Sequence, residues 1–176
     1  MEALARIPLH FQPGSRYRYS VATDVLGGLV QAVAGIPFDQ FLQQRIFAPL
    51  QANKLVLFAP PYGRSDGGEL PPIAPPLSSK FARPTRHPSG GGGLVSTTSD
   101  YLRFAQMLLN RGALDGVRLL GRKSVELMTT NGLPAGVHLN NDPTRGAGFG
   151  LGVSLLEDLG QVQQLGSVGN YGSGCP

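Results

Sequence analysis

Apolar residues recur at helical spacing through much of the chain and switch to alternation near its end. Val25, Leu26, Leu29, Val30 and Val33 predict a helix, preceded by a turn at Pro13-Gly14 and a short extended stretch from Arg16 to Tyr19, and closed by Gly35 at C′. Phe38, Phe41, Leu42 and Ile46 predict a second, with Pro37 at its opening and Pro49 limiting its end. Candidate N-caps from Ser96 to Asp100 precede a third, whose buried stripe is expected to be Tyr101, Phe104, Ala105 and Leu108. Leu114-Asp115-Gly116-Val117 reads as a tight hairpin, after which Lys123 or Ser124 opens a helix containing Val125, Leu127 and Met128. From Gly146 to Val168 the alternation suits two antiparallel strands, with the turn expected at Asp158 to Gly160. Helices followed by strands favour an α+β fold, with helices packed on an antiparallel sheet.

Composition refines this picture in a few places. The 176 residues suffice for a single domain, 1–176, and the 25 Gly and 15 Pro imply many turns. Prolines and glycines concentrate at 59–88, which reads as a long surface loop of the same domain. The charge of +4 comes from 15 basic residues that form no run, so it describes a solvated surface and argues against nucleic acid. Cys175 is the only cysteine, so no internal disulfide can form. No apolar run approaches the ~20 residues that span a bilayer, and Met1 to Gln12 lack a secretory signal pattern. A cytoplasmic, non-membrane protein is expected if Met1 is the natural start.

Several chemistries lack support. His10, His87 and His138 are isolated from one another and from acidic partners, so neither a metal site nor a Ser-His-Asp triad is expected. Gly116 to Ser124 fails as a phosphate loop because Arg122 separates Gly121 from Lys123. The glycines at 146, 148, 150 and 152 have the period of a strand with close backbone approach, not of a dinucleotide fingerprint, and Gly-x-Ser-x-Gly does not occur. No cofactor is expected.

What remains is Tyr19-Ser20-Val21, placed between a turn and a helix. A phenol, unperturbed near pKa ~10, becomes a general base when its surroundings favour the phenolate. Pro13-Gly14-Ser15-Arg16-Tyr17-Arg18-Tyr19-Ser20 is followed in order by Ser89-Gly90-Gly91-Gly92-Gly93-Leu94-Val95-Ser96-Thr97, by Leu114 to Leu120 with its helix, and by Gly148-Phe149-Gly150-Leu151-Gly152. With these motifs in this order, nearly the whole chain resembles the superfamily of serine β-lactamases, penicillin-binding proteins and carboxylesterases, particularly its class C-like branch.

The resemblance implies that Tyr19 deprotonates a nucleophilic serine, assisted by the lysine of a Ser-x-x-Lys motif. It also implies a strand motif at Asn170-Tyr171-Gly172, with the N–H of Ser173 as one half of an oxyanion hole. Two features depart from the pattern. Val21 stands where lactamases usually carry asparagine, whose amide bonds the acyl-side amide of a lactam, so an ester substrate is favoured over a β-lactam. Asn170 fits none of the usual first residues of its motif. Further, Ser-x-x-Lys occurs nowhere: the residues three before Lys54, Lys80 and Lys123 are Gln51, Leu77 and Leu120. The chain therefore reads as a fragment lacking that motif and the family's C-terminal end, inactive as it stands. The alternative is a non-catalytic binding or interaction module that keeps the hydrolase pocket.

Overall fold

The computed structural model describes residues 2–52, 89–92, 94, 96–142, 146–163 and 165–173, so the predicted loop at 59–88 lies outside the described residues. Contacts divide the chain into two compact units, Met1–Ser20 with Met107–Pro176, and Val21–Gln106.

In the second unit, helix α2 (Ala22–Ala34) follows the single turn α1 (Glu2–Ala5) of the first unit in chain order. It ends as expected on Gly35, at φ 69°, whose N–H returns to the Gln31 carbonyl. Its apolar stripe is largely uncovered, with Val33 81% exposed and Leu26 and Leu29 each 56%. The buried residue of the helix is Gly27. Helix α3 (Phe38–Leu42) runs into a π-type turn, Gln43–Phe47, which Ala48 closes by donating to the Gln43 carbonyl at 2.9 Å. Leu50 then turns fully inward, and Arg103 Nε donates to its carbonyl at 2.6 Å, which fastens the end of this segment to helix α4 (Thr98–Leu109).

Thr97 caps α4, its hydroxyl oxygen accepting from Asp100 N at 2.9 Å. The expected stripe on α4 needs correction. Met107, Leu108 and Asp100 are the buried positions, Phe104 is half-buried, and Tyr101 and Ala105 face outward. Tyr101 sits in the first turn, one residue past the inward-facing Asp100, and this rotates the stripe away from it.

In the first unit, α4 ends in a Schellman arrangement: Arg111 N donates to the Leu108 carbonyl and Gly112 N to the Met107 carbonyl. Strands β1 (Ala113–Leu114) and β2 (Val117–Arg118) form the expected hairpin, with Asp115 and Gly116 at φ 48° and 78° as a type I′ turn demands. Helix α5 (Arg122–Met128) begins one residue before Lys123 and buries Val125. The remaining sheet is antiparallel in the order β3 (Ala147–Phe149), β4 (Ser154–Leu156), β5 (Tyr171–Gly172). Its first hairpin turns at Gly150 to Val153, where Gly150 N donates to the Val153 carbonyl at 2.8 Å, not at the expected Asp158 to Gly160. Asp158 instead caps the short helix α6 (Leu159–Val162), its carboxylate accepting from Gly160 N and Gln161 N. An aspartate two residues before a glycine reads equally as a turn or a cap, and here the cap prevails. Among the described residues no single helix is long and apolar enough to cross a membrane.

Candidate functional site

The turn before Tyr19 is built by Pro13 and Gly14, the latter at φ 80°, with Ser15 N donating to the Gln12 carbonyl at 3.1 Å and the Ser15 hydroxyl to the same oxygen at 2.7 Å. Residues 16–19 leave this turn without joining a sheet. Tyr17 packs edge-on against Phe149 of β3, ring centroids 5.3 Å apart and planes at 63°. Burial, and secondarily the charge of a nearby Tyr19 phenolate, push the Tyr17 phenol up from its ordinary value, so Tyr17 stays protonated. Tyr19 itself is 64% exposed and makes no hydrogen bond to a described residue. The two phenols thus divide: one is packed and neutral, the other presented to solvent.

Phe149 belongs to the sheet whose far edge carries the other predicted positions. Asn170 precedes β5, its N–H donating to the Ser167 carbonyl at 3.0 Å and its carbonyl accepting from Leu156 N at 2.8 Å. Leu165 to Val168 form the bend and turn that deliver the chain to β5; Gly169, at φ 89°, makes that turn possible. Tyr171 pairs with Leu155 and Gly172 with Ser154, whose hydroxyl also donates to the Gly172 carbonyl at 2.9 Å. Backbone groups alternate along a strand. The Asn170 carbonyl turns toward β4, and among the described residues no strand pairs with the other side of β5. Tyr19, Asn170, Tyr171, Gly172 and Ser173 all fall in one compact unit, and Val21 falls in the other.

Val21 starts α2 through its backbone, its carbonyl accepting from Asp24 N at 3.0 Å and Val25 N at 3.2 Å, while its isopropyl group is 55% exposed. In the same unit, Asp24 binds the glycine-rich loop. Its carboxylate accepts from the Ser89 hydroxyl and, at 3.2 Å, from Gly91 N. Close approach of the two backbones requires Gly90, where a Cβ would lie 2.1 Å from the Thr23 carbonyl oxygen. The Ser89 hydroxyl, and next the Gly91 N–H, hold the Asp24 carboxyl below the usual carboxylate range. A depressed folded-state pKa means that the stabilisation is complete above the unfolded value, near ~3.9, and is lost as pH falls through the lower folded value. Wild type is therefore expected to lose urea resistance below about pH 4 more steeply than Asp24→Ala, the two curves converging in strong acid. Parallel curves would remove Asp24 from the loop's anchorage.

The sequence pattern did not single out Asp24, Ser89 or Tyr17. Tyr17 had a detectable signal, its two-residue spacing from Tyr19 on an extended stretch. Asp24 had none, because its partners lie 65 and 67 residues away. Among the described residues no three His, Cys, Asp or Glu side chains cluster as metal ligands.

Comparison with known proteins places this geometry. The family model described as Beta-lactamase matches residues 1–175. An uncharacterized protein of Mycobacterium tuberculosis is 34% identical over 98% of this chain and 46% of its own length. Esterase EstB of Burkholderia gladioli is 31% identical over 61% of this chain and 33% of its own. The solved structure of EstCE1, a hydrolase with promiscuous acyltransferase activity, superposes with a TM-score of 0.73 at 28% identity, covering 94% of this chain and 47% of that one. The chain thus spans about half the length of the most similar of these relatives.

Proposed function

The chain belongs to the β-lactamase superfamily of serine β-lactamases, penicillin-binding proteins and carboxylesterases, and from that premise we propose that it is the tyrosine-bearing part of an acyl-enzyme serine hydrolase acting on esters. One observation carries the reading. Tyr19 presents an exposed phenol on a stretch docked through Tyr17 onto β3 of the sheet whose strand β5 carries Tyr171 and Gly172.

In this reading the Tyr19 phenolate takes the proton of a serine hydroxyl supplied by a Ser-x-x-Lys segment outside the 176 residues. The serine oxygen attacks the ester carbonyl carbon, and the Ser173 N–H donates to the developing oxyanion. The C–O bond to the leaving alkoxide breaks, and that oxygen receives the proton from Tyr19. Water then repeats the sequence on the acyl-enzyme. At Val21, where the resemblance leads one to expect asparagine, the isopropyl group can neither accept from nor donate to a lactam's side-chain amide.

The alternative reading is a non-catalytic module that keeps the family's pocket. A single comparison separates the two. The protein joined to its nucleophile-bearing segment is assayed on a short-chain nitrophenyl ester and on a chromogenic cephalosporin. A higher kcat/KM for the ester is expected, a preference for the cephalosporin would overturn the substrate assignment, and turnover of neither would favour the binding module.

A further inference from the structure

We propose that the cavity lined by His10, Phe11, Gln12, Ser15, Arg16 and Arg18, about 540 Å³ in volume, is a binding site for a small oxyanion, the carboxylate or phosphoryl group of a soluble ligand. On the extended stretch 16–19 alternate side chains face opposite ways. Tyr17 turns toward Phe149 and interacts with Tyr19, while Arg16 and Arg18 both line this cavity. Two guanidinium groups thus line one cavity, and among the described residues no Asp or Glu lines it. Neither arginine forms an ion pair with a described residue.

Adjacent cations without a carboxylate repel one another, and an oxyanion relieves that repulsion while matching the planar fork of each guanidinium. Gln12 and His10 add polar side chains to the lining, and half-buried Phe11 supplies an apolar one. Ser15 has a different part. Its hydroxyl is committed to the Gln12 carbonyl, so it fixes the turn from which the arginines are aimed. The site lies on the side of the stretch away from Tyr17 and Tyr19, and it stands whether or not Tyr19 is a general base.

The test is calorimetric titration of the 176-residue chain at low ionic strength with inorganic phosphate and, separately, with acetate. Saturable binding of at least one is expected, and the tighter of the two identifies the group as phosphoryl or carboxylate. The Arg16→Gln, Arg18→Gln double variant should bind at least about tenfold more weakly, as the loss of two charge-assisted contacts requires. Arg122→Gln, which removes a surface arginine 3.6 Å from Glu126, should bind as wild type does. No saturation by either anion, or equal affinity in all three proteins, would overturn the site. Because a loop variant can fail to fold, the wild-type chain is also followed by its arginine Nε–H resonances. Two of them moving with a common midpoint support the proposal, and resonances that stay fixed refute it.

Discussion

In a protein that joins this chain to its nucleophile-bearing segment, Tyr19→Phe is expected to lower kcat/KM for a nitrophenyl ester by about 10²–10⁴-fold, the usual worth of a positioned general base. The substitution removes one oxygen and keeps the ring. Its cost therefore falls on proton transfer, and far-ultraviolet circular dichroism should match wild type. The sharper control is Tyr17→Phe. Tyr17 stands two residues away, with its ring against Phe149 and its phenol held protonated by burial, so losing that oxygen should leave turnover near wild type. Equal losses in the two variants would mean that the stretch acts through packing, and wild-type turnover by Tyr19→Phe would end the assignment.

Gly112→Ala is the substitution expected to cost most in stability, about 2–5 kcal/mol. Gly112 is buried at φ 92°, donates to the Met107 carbonyl at 2.8 Å, and accepts from Leu119 N at 2.9 Å and Leu120 N at 3.1 Å. It therefore ends α4 and closes the β1–β2 hairpin with one residue. A methyl group would be penalised twice. The left-handed backbone costs a non-glycine residue roughly 1–2 kcal/mol, and a Cβ placed 2.2 Å from the Leu120 carbonyl oxygen forces a shift of the kind that overpacking prices at about 1–3 kcal/mol. Gly116→Ala separates the two effects. Gly116 has φ 78° but nothing within 4 Å of its absent Cβ, so only the backbone cost of roughly 1–2 kcal/mol should appear. Urea midpoints of the two variants measure the difference. A loss at Gly112 no larger than at Gly116 would show that the hairpin yields to the methyl group.

Local chemistry made much of this legible in the sequence. Gly35 and the Asp115-Gly116 pair fix backbone conformations by themselves, and the helix end and hairpin they predict are present. Tyr171 and Gly172 lie in strand β5, and Asn170 precedes it. The failures share a cause: a short motif stabilises more than one local structure, and distant contacts decide between them. Asp158 could have turned a hairpin or capped a helix, and Gly150 to Val153 took the turn. Tyr101 fitted the apolar period of α4, but the inward rotation of Asp100 and Met107 turned it to solvent. The grip of Asp24 on Ser89 and Gly91 spans too much chain for any periodicity to reveal.

The edge-on packing of Tyr17 against Phe149 has an optical consequence. The chain has no tryptophan and only 5 tyrosines, so the near-ultraviolet circular dichroism of the folded protein arises chiefly from phenol rings held in asymmetric surroundings. Among the described residues Tyr17 and half-buried Tyr171 are such rings, whereas Tyr19 and Tyr101 lie open to solvent, where their signal is weak. The part of that signal lost in Tyr17→Phe is therefore a chromophoric gauge, two residues from Tyr19, of whether that segment is seated on its sheet.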